Sequence, residues 1–391
     1  MEKKEFNIVK KIKFTLKNPK IVLWLIKCRI RNLIFSKFGY RFLSEHSSPP
    51  VNIFLYPTLK CNLFCKMCDI GFSRKSKLTD SYKDISLKDE LSADKYEPFI
   101  KELTQFKPNI SITGGEPLLY SDLKNLLYLL ISKYKLTTSI ITNGLLLEKN
   151  AEMLVDAGLR ELMISIDGLD ETVDKIRGVK GLFKKTVSGL EKVLELKKIQ
   201  NSRLKIILNF TITPINVSEL VKFVEFFSKY DIESITFFHM LFKTNEMISQ
   251  YTCQYPNMSN EYILKPSSIS EINPKDMDID ILRHEIEQIK TKYSKYKINF
   301  APEILGNNLN VHYQEHDKFT FRKKCFMPWN NAYIAANGDV QTSLLCFHKI
   351  MGNILKEPFL KIWNNEEYKK LRKLLIKEGA FPVCSRCCNI F

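Results

Sequence analysis

The chain has 391 residues, of which 45% are hydrophobic and 12% aromatic, so it can bury a large core and is neither a disordered tail nor a short peptide. Lys and Arg number 60 against 43 Asp and Glu, and the resulting charge of +17 favours acidic partners such as nucleic acid, anionic lipid or phosphorylated substrates. Residues 1–48 hold twelve of the basic residues and three Glu, so more than half of the excess lies on an eighth of the chain.

No stretch has the roughly 18–20 apolar residues that cross a bilayer. The longest candidate, Ile21 to Ile26, ends at Lys27 and is also too short for the core of a signal peptide, which needs about 7–15 residues. We therefore expect a cytoplasmic protein. Its ten cysteines would stay reduced there, so clustered ones indicate metal or redox chemistry.

The pattern of apolar residues predicts a helical extension followed by alternating strands and helices. Apolar and basic residues recur at helical spacing over 7–44, and a Ser-Ser-Pro-Pro break ends this part. Repeated strand–helix units then predict a parallel sheet or barrel. The predicted strands are 51–56, 109–113, 136–142, 160–166, 203–213 and 233–241, and the predicted helices are 92–106, 121–133, 148–157, 181–198 and 217–229.

The regular alternation ends near residue 242. The next stretch has no strong period until a helix predicted near 278–293, and we interpret it as the end of the barrel with an insertion or lid. A tight turn at Asn337-Gly338 and a helix at 366–377 then predict a small α+β domain. So short a domain needs a cross-link in addition to its hydrophobic core, and a metal cluster would supply one. The predicted divisions are 1–48, 49–241, 242–324 and 325–391.

Three thiols follow the first predicted strand, at Cys61, Cys65 and Cys68. No fourth Cys or His lies nearby, whereas a structural zinc site uses four protein ligands. Three thiolates on an iron–sulfur cubane leave one iron open for a small molecule, so the spacing favours a cluster. Scattered buried thiols and a zinc knuckle are the alternatives.

A glycine-rich segment ends the second predicted strand. Gly114 and Gly115 let a ligand approach the backbone, and Glu116 can accept hydrogen bonds from an amino group. Alone, this segment predicts little. It follows the cysteine loop on the next strand, however, and parallel strands bring their carboxyl ends to the same edge of the sheet.

Together and in this order, the two motifs resemble the radical S-adenosylmethionine (SAM) superfamily, over about residues 51–241. The resemblance implies an α/β fold with a partial (β/α)6 TIM-like barrel, a [4Fe–4S] cluster on the three cysteines, and SAM bound to the fourth iron. One electron would cleave SAM to methionine and a 5′-deoxyadenosyl radical, which abstracts a hydrogen atom from the substrate. The resemblance implies SAM contacts for Gly114, Gly115, Glu116, Asn143, Ser165 and Arg177.

Two of these residues lie in motifs of their own. Ser165 opens a Ser-Ile-Asp-Gly segment and Arg177 precedes Gly178, which resembles elements of the peptide-maturase and sulfatase-maturase branches. Ser165 can bond a ribose or a carboxylate, and an arginine such as Arg177 is a bidentate partner for a carboxylate. A strand-end cap at Ser165 and a surface position for Arg177 are the alternatives.

Four more thiols lie at Cys325, Cys346, Cys384 and Cys387, with 20, 37 and 2 residues between them. The segment around them resembles the SPASM/twitch domains of radical SAM enzymes, which implies an auxiliary cluster. A full SPASM domain has seven cysteines, whereas this segment has five with Cys388, so we favour the twitch type with one [4Fe–4S] cluster. Cys388 is a possible substitute for Cys387. A zinc site is the alternative, because Cys-x-x-Cys near a hairpin also occurs in zinc ribbons.

These features predict a radical SAM enzyme that oxidises or cross-links a peptide or sugar-type substrate. An electron donor such as flavodoxin or ferredoxin is expected, and no nucleic-acid module is recognisable. A redox-neutral isomerisation is the alternative within the class. The alternative outside the class is a non-enzymatic iron–sulfur or zinc module that holds an acidic partner, and the glycine–glutamate segment argues against it.

Two further features allow two interpretations each, and two cysteines remain to be placed. The basic residues 1–48 predict either peripheral contact with an anionic membrane or a helix packed on the barrel. His239, at the end of the sixth predicted strand, is either a proton carrier or a core histidine. Cys28 and Cys253 have no partner by spacing and are expected to be ordinary side chains.

Overall fold

The fold is known from a computed structural model, which describes residues 44–68, 90–256, 272–304, 306–316, 318–320, 323–342 and 349–387. The strands are β1 (Asn52–Thr58), β2 (Asn109–Gly114), β3 (Thr137–Thr142), β4 (Glu161–Ser165), β5 (Lys205–Ile212), β6 (Ser234–His239), β7 (Ile298–Ala301), β8 (Asn331–Ile334), β9 (Asp339–Gln341) and β10 (Ile350–Asn353). The α-helices are α1 (Ala93–Leu103), α2 (Leu123–Leu127), α3 (Leu147–Asp156), α4 (Asp170–Arg177), α5 (Leu182–Ile199), α6 (Leu220–Phe227), α7 (Asn245–Gln254), α8 (Ile279–Lys292), α9 (Asn308–Gln314), α10 (Met327–Asn330), α11 (Phe359–Trp363) and α12 (Glu366–Glu378).

The ten strands form one sheet in the order β10-β9-β8-β1-β2-β3-β4-β5-β6-β7. The eight strands from β8 through β1 to β7 are parallel, and β9 and β10 are antiparallel. Within the described residues, β7 and β10 do not pair with each other, so the sheet is open. This arrangement confirms the expected partial barrel.

The six parallel strands predicted before residue 242 are all present, and the structure adds a seventh. Strand β7 pairs with β6 from Ile235 opposite Ile298, in the division 242–324 that we interpreted as the end of the barrel with an insertion or lid. It has four residues, which is too short for an alternating pattern to stand out. Helix α4 was also missed, because its eight residues are mostly polar. Residues 257–271 of the predicted insertion or lid lie outside the described residues.

The two faces of the parallel sheet differ in burial. Ile164 and Phe210 are fully buried on one face, where Phe210 packs on Phe223 of α6 with ring centroids 4.9 Å apart. Alternate residues such as Ser165 and Asn209 are half-buried on the opposite face. Because strand side chains alternate between faces, helices cover the first face and the second, which we call the open face, can receive a ligand.

The C-terminal residues continue the same sheet. Strand β8 pairs in parallel with β1, with Ala332 opposite Ile53, and then turns back into β9. The turn uses Gly338 at φ +85, a left-handed conformation that suits glycine. The predicted hairpin is therefore confirmed. The predicted division at residue 325 does not separate two sheets.

Residues 44–48, which we call the docking segment, lie against the C-terminal part of the chain. Trp329 and Trp363 donate their indole N–H groups to two carbonyls of this segment at 2.9 Å each. The buried Arg372 donates to a third carbonyl at 3.1 Å. The rest of the predicted basic extension, residues 1–43, lies outside the described residues. In the part of the chain that the structure describes, no helix combines the length and apolar character needed to cross a bilayer.

Candidate active site

The three N-terminal cysteines lie on a loop, residues 61–68, directly after β1. The N–H groups of Phe64 and Lys66 donate to the last two carbonyls of α4, at 3.1 and 2.9 Å. The N–H of Cys68 donates to the carbonyl of Cys65 at 3.2 Å and closes a turn. All three thiols are half-buried. The end of a helix thus holds the loop at the carboxyl edge of the parallel strands.

Gly114 and Gly115 pack against the start of this loop. A Cβ on Gly114, which has φ +131, would lie 2.3 Å from the carbonyl oxygen of Thr58. A Cβ on Gly115 would lie 2.2 Å from the carbonyl oxygen of Lys60. Glycine is therefore required so that two backbone segments can approach each other.

Glu116 is fully buried and joins the ends of β2 and β3. Its carboxylate accepts hydrogen bonds from the N–H of Leu118 at 3.0 Å, the hydroxyl of Thr142 at 2.8 Å and the N–H of Asn143 at 2.8 Å. Burial raises the pKa of Glu116, although these bonds act against the rise. A carboxylate has about four acceptor positions, so Glu116 can still accept from an amino group of a ligand.

Asn143 connects the end of β3 to the cysteine loop. Its Nδ2 donates to Oδ1 of Asn62 at 2.7 Å and lies 3.9 Å from Sγ of Cys61. Its Oδ1 accepts from the N–H of Leu145 at 3.0 Å. The structure therefore brings Asn143 together with the first cysteine and, through its own N–H, with Glu116.

Arg177 is buried beside the cysteine loop, so the surface interpretation is wrong. Its Nη2 lies 2.6 Å from Oδ2 of Asp167. Burial lowers the pKa of Arg177, but the negative charges of Asp167 and Cys65 outweigh this and raise it. Burial likewise raises the pKa of Cys65 to about 12, against the opposing effect of Arg177. Nε of Arg177 is buried without a hydrogen-bond acceptor among the described residues, which leaves one donor for a ligand.

Asp167 was not among the predicted site residues, although it lies within the Ser-Ile-Asp-Gly motif. Its Oδ1 accepts from the N–H of Thr211 at 2.7 Å, and its carbonyl accepts from Nδ2 of Asn216 at 2.9 Å. It thus fixes the turn after β4 to the end of β5 while its other oxygen holds Arg177. A buried arginine needs a partner, but the sequence alone does not identify it.

Ser165 ends β4 on the open face of the sheet and starts a series of polar residues. Asn209 of β5 lies opposite Ser165, Thr236 lies opposite Asn209, and Asn299 lies opposite Thr236. We call these four residues the polar row. Only Ser165 was predicted, because strand register is needed to find the other three.

Three aromatic residues line another part of the open face, and we call them the aromatic wall. Phe54 of β1 stacks on Tyr333 of β8 with ring centroids 4.9 Å apart and planes 10° apart. Tyr56 lies next to them, 6.2 Å from the ring of Tyr333. Burial raises the pKa of Tyr56, as does the nearby Cys68. The aromatic wall therefore extends from the C-terminal hairpin to the cysteine loop.

Three of the four predicted auxiliary ligands belong to the described residues. The N–H of Cys325 donates to the carbonyl of Gly379 at 3.0 Å, and the N–H of Cys387 donates to the carbonyl of Cys384 at 3.0 Å. Cys384 is buried and the other two are half-buried. The chain before Cys325 thus runs beside the turn that leads to the last two cysteines. Outside the described residues lie Cys28, Cys346 and Cys388.

His239 lies on the helix-covered face of β6, away from the open face. It is 2% exposed, and its Nδ1 is 2.8 Å from the hydroxyl of Tyr313 on α9. Burial lowers the pKa of His239 to about 3. The core interpretation therefore holds. Cys253 is exposed on α7 and takes no part in the site.

Two protein-family models match the chain. The model of the radical SAM superfamily matches residues 55–227, and the model of an iron–sulfur cluster-binding domain, SPASM, matches residues 325–388. The first match covers the cysteine loop, Glu116, Asn143 and Arg177, and the second covers all the predicted auxiliary ligands.

Known proteins and solved structures agree with these matches. Fe-coproporphyrin III synthase of Methanosarcina barkeri is 27% identical over 354 residues, which is 84% of this chain and 78% of that protein. AdoMet-dependent heme synthase of the same organism is 27% identical over 349 residues, 84% of this chain and 86% of that protein. SuiB of Streptococcus suis bound to SAM aligns with a TM-score of 0.58 and 19% identity over 95% of this chain and 78% of that chain. Native anSMEcpe with bound AdoMet aligns with a TM-score of 0.56 and 16% identity over 83% of both chains.

An open parallel sheet with a three-cysteine loop, followed by a cluster-binding hairpin unit, defines an enzyme that uses an iron–sulfur cluster. The chain belongs to the radical SAM superfamily and has a C-terminal SPASM-type domain. Its cofactors are SAM, the [4Fe–4S] cluster to which SAM binds and an auxiliary iron–sulfur cluster. The described residues fit these groups, because one loop presents three thiols and the unsatisfied Nε of Arg177 suits a carboxylate.

Proposed function

We propose that Cys61, Cys65 and Cys68 hold the SAM-binding cluster of this enzyme. When bound, the cluster and SAM supply a 5′-deoxyadenosyl radical that abstracts a hydrogen atom from the substrate. The observation that carries the assignment is the set of hydrogen bonds between the cysteine loop, Asn143 and Glu116. These bonds fix the thiols relative to the carboxyl ends of β2 and β3, where parallel sheets bind their ligands.

SAM itself would lie along the same edge of the sheet. Glu116 has acceptor capacity for the amino group, and the unsatisfied Nε of Arg177 can donate to the carboxylate. Ser165 is half-buried on the open face and can bond the ribose or the carboxylate. Gly114 and Gly115 would contribute through their backbone, which is held against the cysteine loop. The buried position of Arg177 and Glu116 excludes water and strengthens these bonds.

The substrate is proposed to be a peptide or a sugar-type molecule that binds on the open face. The polar row offers amide and hydroxyl groups at four successive strands, which suits a substrate rich in hydrogen-bonding groups. Asn209 and Thr236 are half-buried and Asn299 is exposed, so the row can be reached. The reaction is proposed to be an oxidation or a cross-link, for which an auxiliary cluster held by Cys325, Cys346, Cys384 and Cys387 would supply an electron acceptor.

A tetrapyrrole is a second candidate substrate. The two relatives from Methanosarcina barkeri match most of their own length and are named for the synthesis of Fe-coproporphyrin III and of heme. The aromatic wall, in which Phe54 and Tyr333 stack on each other, offers an apolar surface for such a ring system. Anaerobic titration of the chain with coproporphyrin III and with a short peptide, followed by tryptophan and porphyrin fluorescence, separates the two candidates.

The remaining proposals concern the cellular compartment, the electron donor and contact with a membrane. We propose a cytoplasmic enzyme that receives electrons from a donor such as flavodoxin or ferredoxin. Peripheral contact with an anionic membrane through residues 1–48 is proposed from their charge. Binding to anionic liposomes that does not weaken as the salt concentration rises would argue against this contact.

The test of the proposed function needs no substrate. The full chain is reconstituted anaerobically with iron and sulfide, reduced with dithionite and incubated with SAM, and 5′-deoxyadenosine and iron are measured. We expect about eight iron atoms per chain, as two [4Fe–4S] clusters require, and 5′-deoxyadenosine that is lost in Cys65→Ala. In Cys384→Ala we expect half of the iron and continued SAM cleavage. Zinc in place of iron, or no SAM cleavage under reduction, would favour the non-enzymatic binding module.

A further inference from the structure

The cysteine loop exposes one large aromatic side chain. Phe64 is 42% exposed, although it lies between the fully buried Leu63 and the half-buried Cys65. Aromatic side chains are enriched at the centres of protein–protein interfaces, so an exposed ring at this position can contact another protein. Phe64 directly precedes a proposed cluster ligand, so a molecule that contacts its ring lies next to the cluster loop.

A lysine-rich turn adjoins Phe64. The Phe64 N–H donates to the last carbonyl of α4, and a Cβ on Gly178 would lie 3.3 Å from Cβ of Phe64. The turn continues through Lys180 into the first turn of α5, which contains Lys184, and both lysines are exposed. A Cβ on Gly181 would meet no atom within 4 Å, so this turn faces open space.

Lysines outnumber acidic side chains in this stretch. Asp174 is the one carboxylate between residues 174 and 185. Its oxygens accept hydrogen bonds from the backbone of residues 181–183, among them the N–H of Leu182 at 2.9 Å. This carboxylate therefore holds the start of α5. Asp174 keeps its negative charge, but the four lysines Lys175, Lys180, Lys184 and Lys185 outnumber it and leave this stretch positively charged.

We propose that Phe64, Lys180 and Lys184 form a docking face for an acidic electron-carrier protein, which delivers the electron needed for SAM cleavage. Positive charge steers an acidic partner to this face, and the exposed ring gives the interface an apolar centre. One electron would pass from the reduced carrier to the cluster that the three cysteines would hold, and no bond or proton is exchanged. The inference rests on the proposed function of the three cysteines.

The experiment compares two reductants on the reconstituted full chain. Dithionite is a small molecule and needs no docking face, whereas an acidic flavodoxin with its NADPH-dependent reductase does. The test variant is Lys180→Glu/Lys184→Glu. The control is Lys361→Glu/Lys377→Glu, which changes the net charge equally at side chains that are 74% and 81% exposed on α11 and α12.

We expect the flavodoxin-driven rate of 5′-deoxyadenosine formation to fall by about tenfold in the test variant at low salt, because charge reversal weakens steered association. The control should change less than about twofold, and the dithionite-driven rate should be the same in all three proteins. The Kd for oxidised flavodoxin, measured without SAM, should rise in parallel with the loss of rate. In Phe64→Ser we expect a higher Kd with an unchanged salt dependence, because both lysines remain.

Equal flavodoxin rates and Kd values in the wild type and the test variant would overturn the docking face. A loss confined to the control would place the carrier on the C-terminal domain and would overturn it as well. Absence of dithionite-driven SAM cleavage in the wild type would instead refute the proposed function. The flavodoxin Kd would still decide whether the face binds an acidic carrier.

Discussion

At the scale of single residues, Arg177 links the cysteine loop to the rest of the site. Its carbonyl holds the loop, its guanidinium pairs with Asp167 at 2.6 Å, and its charge opposes the burial of Cys65. A charged pair in the interior is costly to break, because the remaining partner is left buried without compensation. Asp167 is 1% exposed in this pair, so it depends on Arg177.

Arg177→Gln should therefore destabilise the chain even without cofactors. We expect the free energy of unfolding to fall by about 3–5 kcal/mol, because the carboxylate of Asp167 would remain buried and unpaired. The measurement is urea unfolding of the cluster-free protein, followed by circular dichroism.

The matched control for this variant is Arg160→Gln. Arg160 lies 3.3 Å from Glu161 but its side chain is 56% exposed, so its loss should cost less than about 1 kcal/mol. Equal losses of stability in the two variants would contradict the structural role that we assign to Arg177.

At the scale of secondary-structure elements, α9 covers the end of β6 with a buried histidine cluster. The rings of His239 and His312 are 5.6 Å apart, and both are almost fully buried. Burial lowers the pKa of His239 to about 3 and also lowers the pKa of His312, with a further contribution from the neighbouring His239. Both histidines are therefore neutral in the folded protein at neutral pH.

Folding should weaken on acidification because of this cluster. The pKa of His239 rises from about 3 in the folded chain toward 6.5 on unfolding, so the unfolded chain binds more protons between these values. The contribution of neutral His239 to the free energy of unfolding is complete above pH 6.5. It is lost as the pH falls, at about 1.4 kcal/mol per pH unit for one histidine.

In His239→Phe the stability should decrease less steeply with falling pH than in the wild type, because phenylalanine cannot be protonated. Thermal unfolding between pH 7.5 and 5 measures it, with His284→Gln on the exposed side of α8 as the control. Parallel slopes in the wild type and His239→Phe would show that other groups cause the acid sensitivity.

The docking segment is the second element with a measurable effect. Truncation before residue 49 removes the carbonyls that accept from Trp329, Trp363 and Arg372, whereas truncation before residue 44 keeps them. We expect the free energy of unfolding to be about 2–4 kcal/mol lower in the longer truncation than in the shorter one. Each lost hydrogen bond contributes about 1 kcal/mol, and those of the arginine contribute more.

Tryptophan fluorescence provides a local measurement of the same change. The emission of Trp329 and Trp363 should shift to longer wavelength only after the longer truncation, because both rings are buried beneath the docking segment. Identical unfolding and emission of the two truncated chains would contradict a stabilising role for residues 44–48.

At the scale of the whole molecule, the SPASM-type domain and the barrel share one sheet. Strand β8 pairs with β1 along four residues. Glu102 of α1 accepts hydrogen bonds from the N–H groups of Phe359 and Leu360, at 2.8 Å each, and thereby satisfies the start of α11. The C-terminal domain therefore depends on the barrel for a strand partner and for a helix cap.

A fragment of residues 325–391 should consequently not fold alone, even when iron and sulfide are supplied. Without β1, strand β8 would expose one unpaired edge and the apolar side chains it now buries. The measurement is the amide proton dispersion of the fragment by NMR. A well-dispersed spectrum with cluster absorbance would show instead that the cluster alone is sufficient.

Local spacing determined most of what the sequence predicted correctly. The three-cysteine loop, the glycine–glutamate segment and the hairpin turn at Gly338 each lie within a few residues, so composition and order identify them. The strand–helix alternation likewise predicted six strands in a parallel sheet or barrel, because the hydrophobic period reports which face of each element is buried.

Tertiary structure alone decided how these pieces meet. The pairing of β8 with β1 joins residues 279 positions apart, as in the hydrogen bond between Asn52 and Asn331. The polar row depends on strand register, and the partner of Arg177 comes from a turn ten residues away. Such choices are made by burial and by long-range pairing, which depend on the whole folded chain and leave no periodic pattern in any single segment.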